Sequence, residues 1–188
     1  MKIAVIGYTG SGKSVLAAKL GKIIGCPVLH LDKLQFEAGW KERKEAEGNR
    51  LCEQLLEENK DRGWVIDGNY EKFCQKRRMK EADLIIFMDY PRWICLWQAL
   101  RRYYRYKGHT RKSMADGCIE KMDKEFILWI LKNGRSREKK EDYKRVGAQY
   151  PDKFIQVRNR RQLRATVIRL LQLQNEKGLY AGTGSRKR

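Results

Sequence analysis

Eight consecutive residues near the start, Gly7-Tyr8-Thr9-Gly10-Ser11-Gly12-Lys13-Ser14, constrain the fold more than any other stretch. They follow the apolar run Ile3-Ala4-Val5-Ile6 and open onto a segment with Leu16, Leu20, Ile23 and Ile24 at helical spacing. Strand, glycine loop and helix, in that order, is the context a phosphate-binding loop of the form G-x-x-x-x-G-K-[ST] requires. Chance supplies only about 0.006 such strings in a chain of this length. The glycines admit backbone conformations closed to residues with a Cβ and let the main chain approach a phosphate. Successive amides then surround an anion at the positive end of the helix dipole. Gly7, Tyr8, Thr9, Gly10, Ser11, Gly12, Lys13, Ser14 and Val15 are therefore the expected nucleotide-binding residues. Lys13 is expected to reach the terminal phosphates of ATP, and the Ser14 hydroxyl to ligate Mg²⁺.

The rest of the chain fits a single domain. It has 188 residues, enough for a substantial core, with three prolines and no linker or internal repeat. The first strand starts too early to leave room for a signal peptide, and no apolar run approaches a membrane span. Cys26, Cys52, Cys74, Cys95 and Cys118 stand more than twenty residues apart, which excludes a local C-x-x-C pair. A cytoplasmic protein with reduced thiols and no membrane association is expected. Against 23 acidic residues stand 42 Lys and Arg, a net charge of +19. That balance suits polyanionic partners, whether nucleotide phosphates or weakly held nucleic acid, without choosing between them.

Further strands are predicted at 27–31, 64–66, 84–88 and, more weakly, 154–157, alternating with helical segments. The pattern predicts an α/β fold with a parallel sheet covered on both faces. Ligands in such a sheet sit at the carboxyl ends of the strands, where Gly7–Ser14, Asp32, Asp67 and Asp89 all fall. Between Trp93 and Lys107, Trp93, Trp97, Leu100 and Tyr104 follow the spacing of a buried helical stripe, which favours core packing over base stacking for the aromatics. A polar stretch to Lys121, a second amphipathic helix and Gly134-Arg135-Ser136-Arg137 follow, making a lid over about 101–137. A closing helix is expected at 162–174, and residues 178–188 read as a disordered basic tail after a domain spanning 1–177.

These segments resemble the adenylate-kinase-like P-loop kinases, and among them the branch of topology modulation proteins. The resemblance rests on the glycine loop, on Leu29-His30-Leu31-Asp32 with Gly39-Trp40, and on Val65-Ile66-Asp67-Gly68-Asn69-Tyr70. Tyr90-Pro91-Arg92, Arg101-Arg102, Gly108-His109-Thr110-Arg111 and Gly117-Cys118 extend it over roughly the first 165 residues. It implies a P-loop NTPase fold, a five-stranded parallel sheet with the loop-bearing strand central and a helical lid after the fourth strand. It further implies that Asp67 orders the magnesium shell, that Arg101-Arg102 opens the lid, that Arg135 and Arg137 clamp the transferred phosphoryl group, and that Arg158 borders the adenine. Asn69-Tyr70-Glu71 replaces the Phe-Pro-Arg that follows Asp-Gly in adenylate kinases, so AMP is not the implied acceptor.

Each carboxylate also has a bland reading. Asp67 can be a turn residue, Asp32 an acceptor-site ligand or base but equally a turn residue, and Asp89 a cap for the helix beginning near Pro91. His30 reads as a satisfied interior histidine. Among the lid cations, Arg101, Arg105, Arg111, Arg135 and Arg137 are placed to close over phosphate. The expected function is an ATP-dependent phosphotransferase acting with Mg²⁺ on a small-molecule or nucleotide acceptor, with Lys13, Asp32, Arg101, Arg105, Arg135 and Arg137 catalytic. The alternative is a nucleic-acid-associated or regulatory ATPase involved in DNA topology modulation.

Overall fold

Short runs rich in β-branched and aliphatic residues form the five strands of a computed structural model of the chain: β1 (Lys2–Gly7), β2 (Val28–His30), β3 (Trp64–Asp67), β4 (Leu84–Met88) and β5 (Phe154–Val157). The structure describes residues 1–183, and the side chains of residues 1–173. All strand pairings are parallel, in the order β2-β3-β1-β4-β5, so β1 is central as expected. Parallel strands covered on both faces need continuous apolar sequence. Ile3–Ile6, Trp64–Ile66 and Ile85–Met88 are accordingly no more than 5% exposed.

The helices are α1 (Lys13–Ile24), α2 (Leu31–Gln35), α3 (Glu45–Glu58), α4 (Gln75–Glu81), α5 (Arg92–Tyr106), α6 (Lys124–Leu131), α7 (Arg137–Gln149) and α8 (Arg160–Thr183). Helix α1 packs on β1, β2 and β3 and touches α8, which packs on β5, while α4 lies against β1. The register aligns the ends that matter: Val5 is level with Asp67, and Asp67 with His30. The short α2 was not expected; it places Asp32 in a first helical turn rather than in an open loop. The closing helix continues past the expected residue 174. Of the expected tail, 178–183 lie in that helix and 184–188 lie outside the described residues.

One expectation is reversed. Trp93, Trp97 and Tyr104 are 66%, 52% and 74% exposed, and the buried side of α5 carries Cys95 and Ala99 instead. The physical reason is a close approach of backbones. A Cβ on Gly10 would overlap the Cys95 carbonyl, so only small side chains fit where α5 crosses the glycine loop.

Between α5 and α6 the chain folds back on itself through bridges pairing Lys107 with Glu120 and Thr110 with Ile119. This loop docks on the connection between β2 and α3. Trp40 Nε1 donates to the Ile119 carbonyl at 2.9 Å, and the Cys118 thiol to the Glu37 carbonyl at 3.3 Å. Among the described residues, no helix is long and apolar enough to cross a membrane.

Candidate active site

The loop after β1 turns tightly, with the Ser11 amide donating to the Tyr8 carbonyl at 3.2 Å, and Gly12 in the left-handed region at φ 91° starts α1. A cleft of about 310 Å³ lies against it. Gly7, Thr9, Gly10, Gly12, Lys13, Ser14 and Val15 line it, together with Asp32, Asp67, Asn69 and Tyr70. Tyr8 and Ser11 point away: the Tyr8 ring is packed edge-on against Phe87 and Tyr143, and Ser11 is 1% exposed.

Lys13 Nζ donates to the Tyr8 carbonyl at 3.0 Å. As a residue it is only half-buried, yet the protein atoms crowding its ammonium lower its pKa, against the pull of Asp67 and then Asp32. Both carboxylates thus stand near one cation. Asp67 is 2% exposed; its Oδ1 is 3.1 Å from His30 Nδ1, while its buried Oδ2 has no partner. His30 is therefore a tied interior histidine, as expected. The Tyr70 hydroxyl donates to Asp32 Oδ1 at 2.9 Å. Burial raises the Asp32 pKa and Asp67 raises it further, whereas Lys13, the Tyr70 hydrogen bond and Arg111 oppose the shift.

Two arginines complete the wall. Arg102, from the small-residue side of α5, and Arg111, from the returning loop, both line the cleft and share one carboxylate, Glu120. Arg102 Nη2 lies 2.7 Å from Glu120 Oε1, and Glu120 is 5% exposed. Burial lowers the Arg102 pKa, and Arg111 beside it adds to that shift. Trp129 of α6 reaches the loop directly, its Nε1 donating to Thr9 Oγ1 at 3.2 Å, with Lys139 Nζ above the indole at 5.0 Å.

The structure thus gathers Lys13, Ser14, Asp32, Asp67 and Arg111 in one cleft and places the other candidates elsewhere. Arg101 and Arg105 are on the exposed side of α5, Arg101 over the Trp97 ring at 5.6 Å. Arg137 points into solvent and pairs with Glu141. Arg135 lies behind the loop: its guanidinium stacks on the Tyr8 ring at 3.8 Å and donates to the Tyr90 carbonyl at 2.6 Å. Arg158 is exposed, 3.6 Å from Asp89. Asp89 does not cap α5; it accepts from Gln156 Nε2 at 2.7 Å and ties β4 to β5. The weight of Arg102 was legible in the i, i+4, i+7 spacing of Cys95, Ala99 and Arg102. Glu120 and Tyr70 carried no comparable signal.

A divalent ion fits what is present. Asp67, whose buried Oδ2 has no partner, lines the same cleft as Ser14. Among the described residues no three His, Cys, Asp or Glu converge, so such an ion would take most ligands from water and phosphate. A larger cleft of about 620 Å³ lies behind Tyr8, between α7 and the ends of β4 and β5, floored by Phe87, Tyr143 and Phe154. It contains neither the glycine loop's open side nor the Asp32–Asp67 pair.

No protein-family model matches the chain, and no curated protein matches it. Solved structures do. Deoxyadenosine kinase from M. mycoides with bound dATP is 16% identical with a TM-score of 0.51, covering 90% of this chain and 99% of that one. The same kinase with products dCMP and a flexible dCDP bound is 14% identical with a TM-score of 0.49, covering 90% and 98%. Shikimate kinase from Bacteroides thetaiotaomicron is 16% identical with a TM-score of 0.45, covering 93% and 98%. The chain has an α/β P-loop NTPase fold.

Proposed function

We propose that this chain is an ATP-dependent phosphotransferase whose acceptor is a small hydroxylated molecule or a nucleotide. The observation that carries the reading is the cleft itself, which Lys13 and the glycine loop line together with Asp32, Asp67 and two arginines from α5 and the returning loop. A hydrolase needs only a positioned water; a second carboxylate, half-buried and held by Tyr70, suits a bound hydroxyl. The fold shared with a kinase that holds dATP is consistent with a nucleotide on this loop.

In the reaction, the loop amides and Lys13 hold the β- and γ-phosphates of ATP, and Arg102 and Arg111 offset the charge on the transferred group. Asp32 accepts the proton of the acceptor hydroxyl as its oxygen bonds to the γ-phosphorus and the bond to the β-phosphate oxygen breaks, leaving ADP. Ser14, and Asp67 through water, would hold a Mg²⁺ ion, which would supply charge neutralisation to the phosphates. The crowded ammonium of Lys13 is ready for this role, because a phosphate returns the charge stability that burial removes.

The test is ATP turnover across a panel of nucleosides, nucleotides and hydroxylated metabolites, with DNA as one member and Lys13→Ala as control. Stimulation by one small acceptor, abolished in the variant, is the expected result. Turnover that no small acceptor raises, or that only DNA raises, overturns the kinase reading.

A further inference from the structure

The reversed side of α5 has no role in the cleft: none of Trp93, Trp97 or Tyr104 lines it. Three aromatic residues more than half exposed along one helical stripe are unusual for a surface in contact only with water. Their chemical surroundings narrow the choice of partner. From Arg92 to Ala115 the chain carries seven Lys and Arg and no carboxylate. Arg102 and Arg111 are taken by Glu120, whereas Arg92, Arg101, Arg105, Lys107 and Lys112 make no ion pair among the described residues. Arg101 stacks over Trp97 at 5.6 Å, and Tyr104 is braced edge-on by Tyr103 at 5.7 Å. Flat rings interleaved with uncompensated cations are the combination that takes unpaired bases and their phosphates together.

We propose that the outward face of α5, built from Trp93, Trp97, Arg101, Tyr104 and Arg105, is a docking surface for single-stranded nucleic acid. From Trp93 to Tyr104 it spans about 16 Å. The bases stack on the rings, and the phosphates take the free arginines and Lys107. A single strand is specified because a duplex keeps its base faces to itself. A second copy of the chain is disfavoured, since paired α5 faces would oppose these cations without a carboxylate between Arg92 and Ala115 to offset them. A lipid surface would take the same charge, but this face offers mostly rings and little aliphatic depth.

The experiment is fluorescence anisotropy of a labelled oligo(dT) 20-mer at about 0.15 M salt, beside a duplex of equal length, vesicles containing anionic phosphatidylserine, and sedimentation of the protein alone. The full chain is expected to bind the single strand more tightly than the duplex. Replacing Trp93, Trp97 and Tyr104 together by Ala should weaken binding by roughly tenfold or more, while ATP turnover and the thermal midpoint hold. Replacing Trp93 and Trp97 by Phe should keep the affinity but remove most of the quench of protein fluorescence on binding. Because the rings are exposed, the Ala variant should fold; the Phe variant asks the same question without disturbing packing. Oligonucleotide affinity indifferent to the rings would reduce the effect to net charge and overturn the proposal. So would a dimer that the Ala variant dissolves, or vesicle binding that replaces binding of the strand.

Discussion

The Tyr70 hydroxyl donates to Asp32 Oδ1 at 2.9 Å, joining the residue just beyond β3 to the first turn after β2 across the floor of the cleft. This bond holds down the pKa of a carboxylate that burial and Asp67 raise. A base must be ionised to work, so turnover should fall as pH drops through the raised Asp32 pKa. Tyr70→Phe removes a hydrogen bond that favours the charged form. Such a bond to a charged group contributes about 1.5–3 kcal/mol. With 1.36 kcal/mol per pKa unit, the acidic limb should move up by about one to two units. A pH–rate profile measured with the acceptor from the panel checks this. An unmoved limb would remove Asp32 as the base.

Glu120 sets a second test. Its carboxylate is buried between Arg102 and Arg111, whose side chains are 24% and 11% exposed. Glu120→Gln leaves two guanidiniums facing each other without a counter-charge. Breaking a buried pair costs about 3–5 kcal/mol, and the partial exposure of Arg102 brings the expectation to about 2–3 kcal/mol. For a domain of this size that is a fall of roughly 5–10 °C in thermal midpoint. Hydrogen exchange should quicken first in 107–121, the loop these arginines hold. If exchange there is unchanged while the midpoint falls, the carboxylate supports something other than the loop.

How much of this was legible follows from where the information lies. The glycine loop, the strand positions and the Asp at the end of β3 rest on local patterns: a motif between strand and helix, apolar runs, and an Asp at a strand end; the central place of β1 came only with the family resemblance. The register that sets Asp67 beside His30 then needed only parallel pairing. The face of α5 was misread because spacing shows that a stripe exists, not which of two stripes wins. Four large apolar residues outscore Cys95 and Ala99 on hydrophobicity, but the Gly10 backbone leaves room only for the small pair. The lid arginines divide for the same reason. Arg102 follows the small stripe into the cleft, and Arg101, one residue earlier, goes out with the tryptophans. The bonds of Glu120 and Tyr70 were illegible because they join residues 9, 18 and 38 positions apart, outside any strand or helix period.

That close approach yields the third prediction. Gly10 sits at φ +81°, and a Cβ there would overlap the Cys95 carbonyl, with the carbonyl carbon 3.0 Å away. Gly108 has nearly the same conformation, φ +76°, but nothing lies within 4 Å of its virtual Cβ. Ala at either position bears the left-handed strain, about 1–2 kcal/mol. Only at Gly10 must α5 also retreat from the loop, and with it Arg102. Gly10→Ala should therefore lower the thermal midpoint well beyond Gly108→Ala and weaken ATP binding at least tenfold, whereas Gly108→Ala should leave ATP affinity within about twofold. Chemical denaturation and nucleotide titration of the two variants side by side separate the effects. Equal losses in both would mean that backbone strain alone is felt, and that α5 does not brace the loop through this contact.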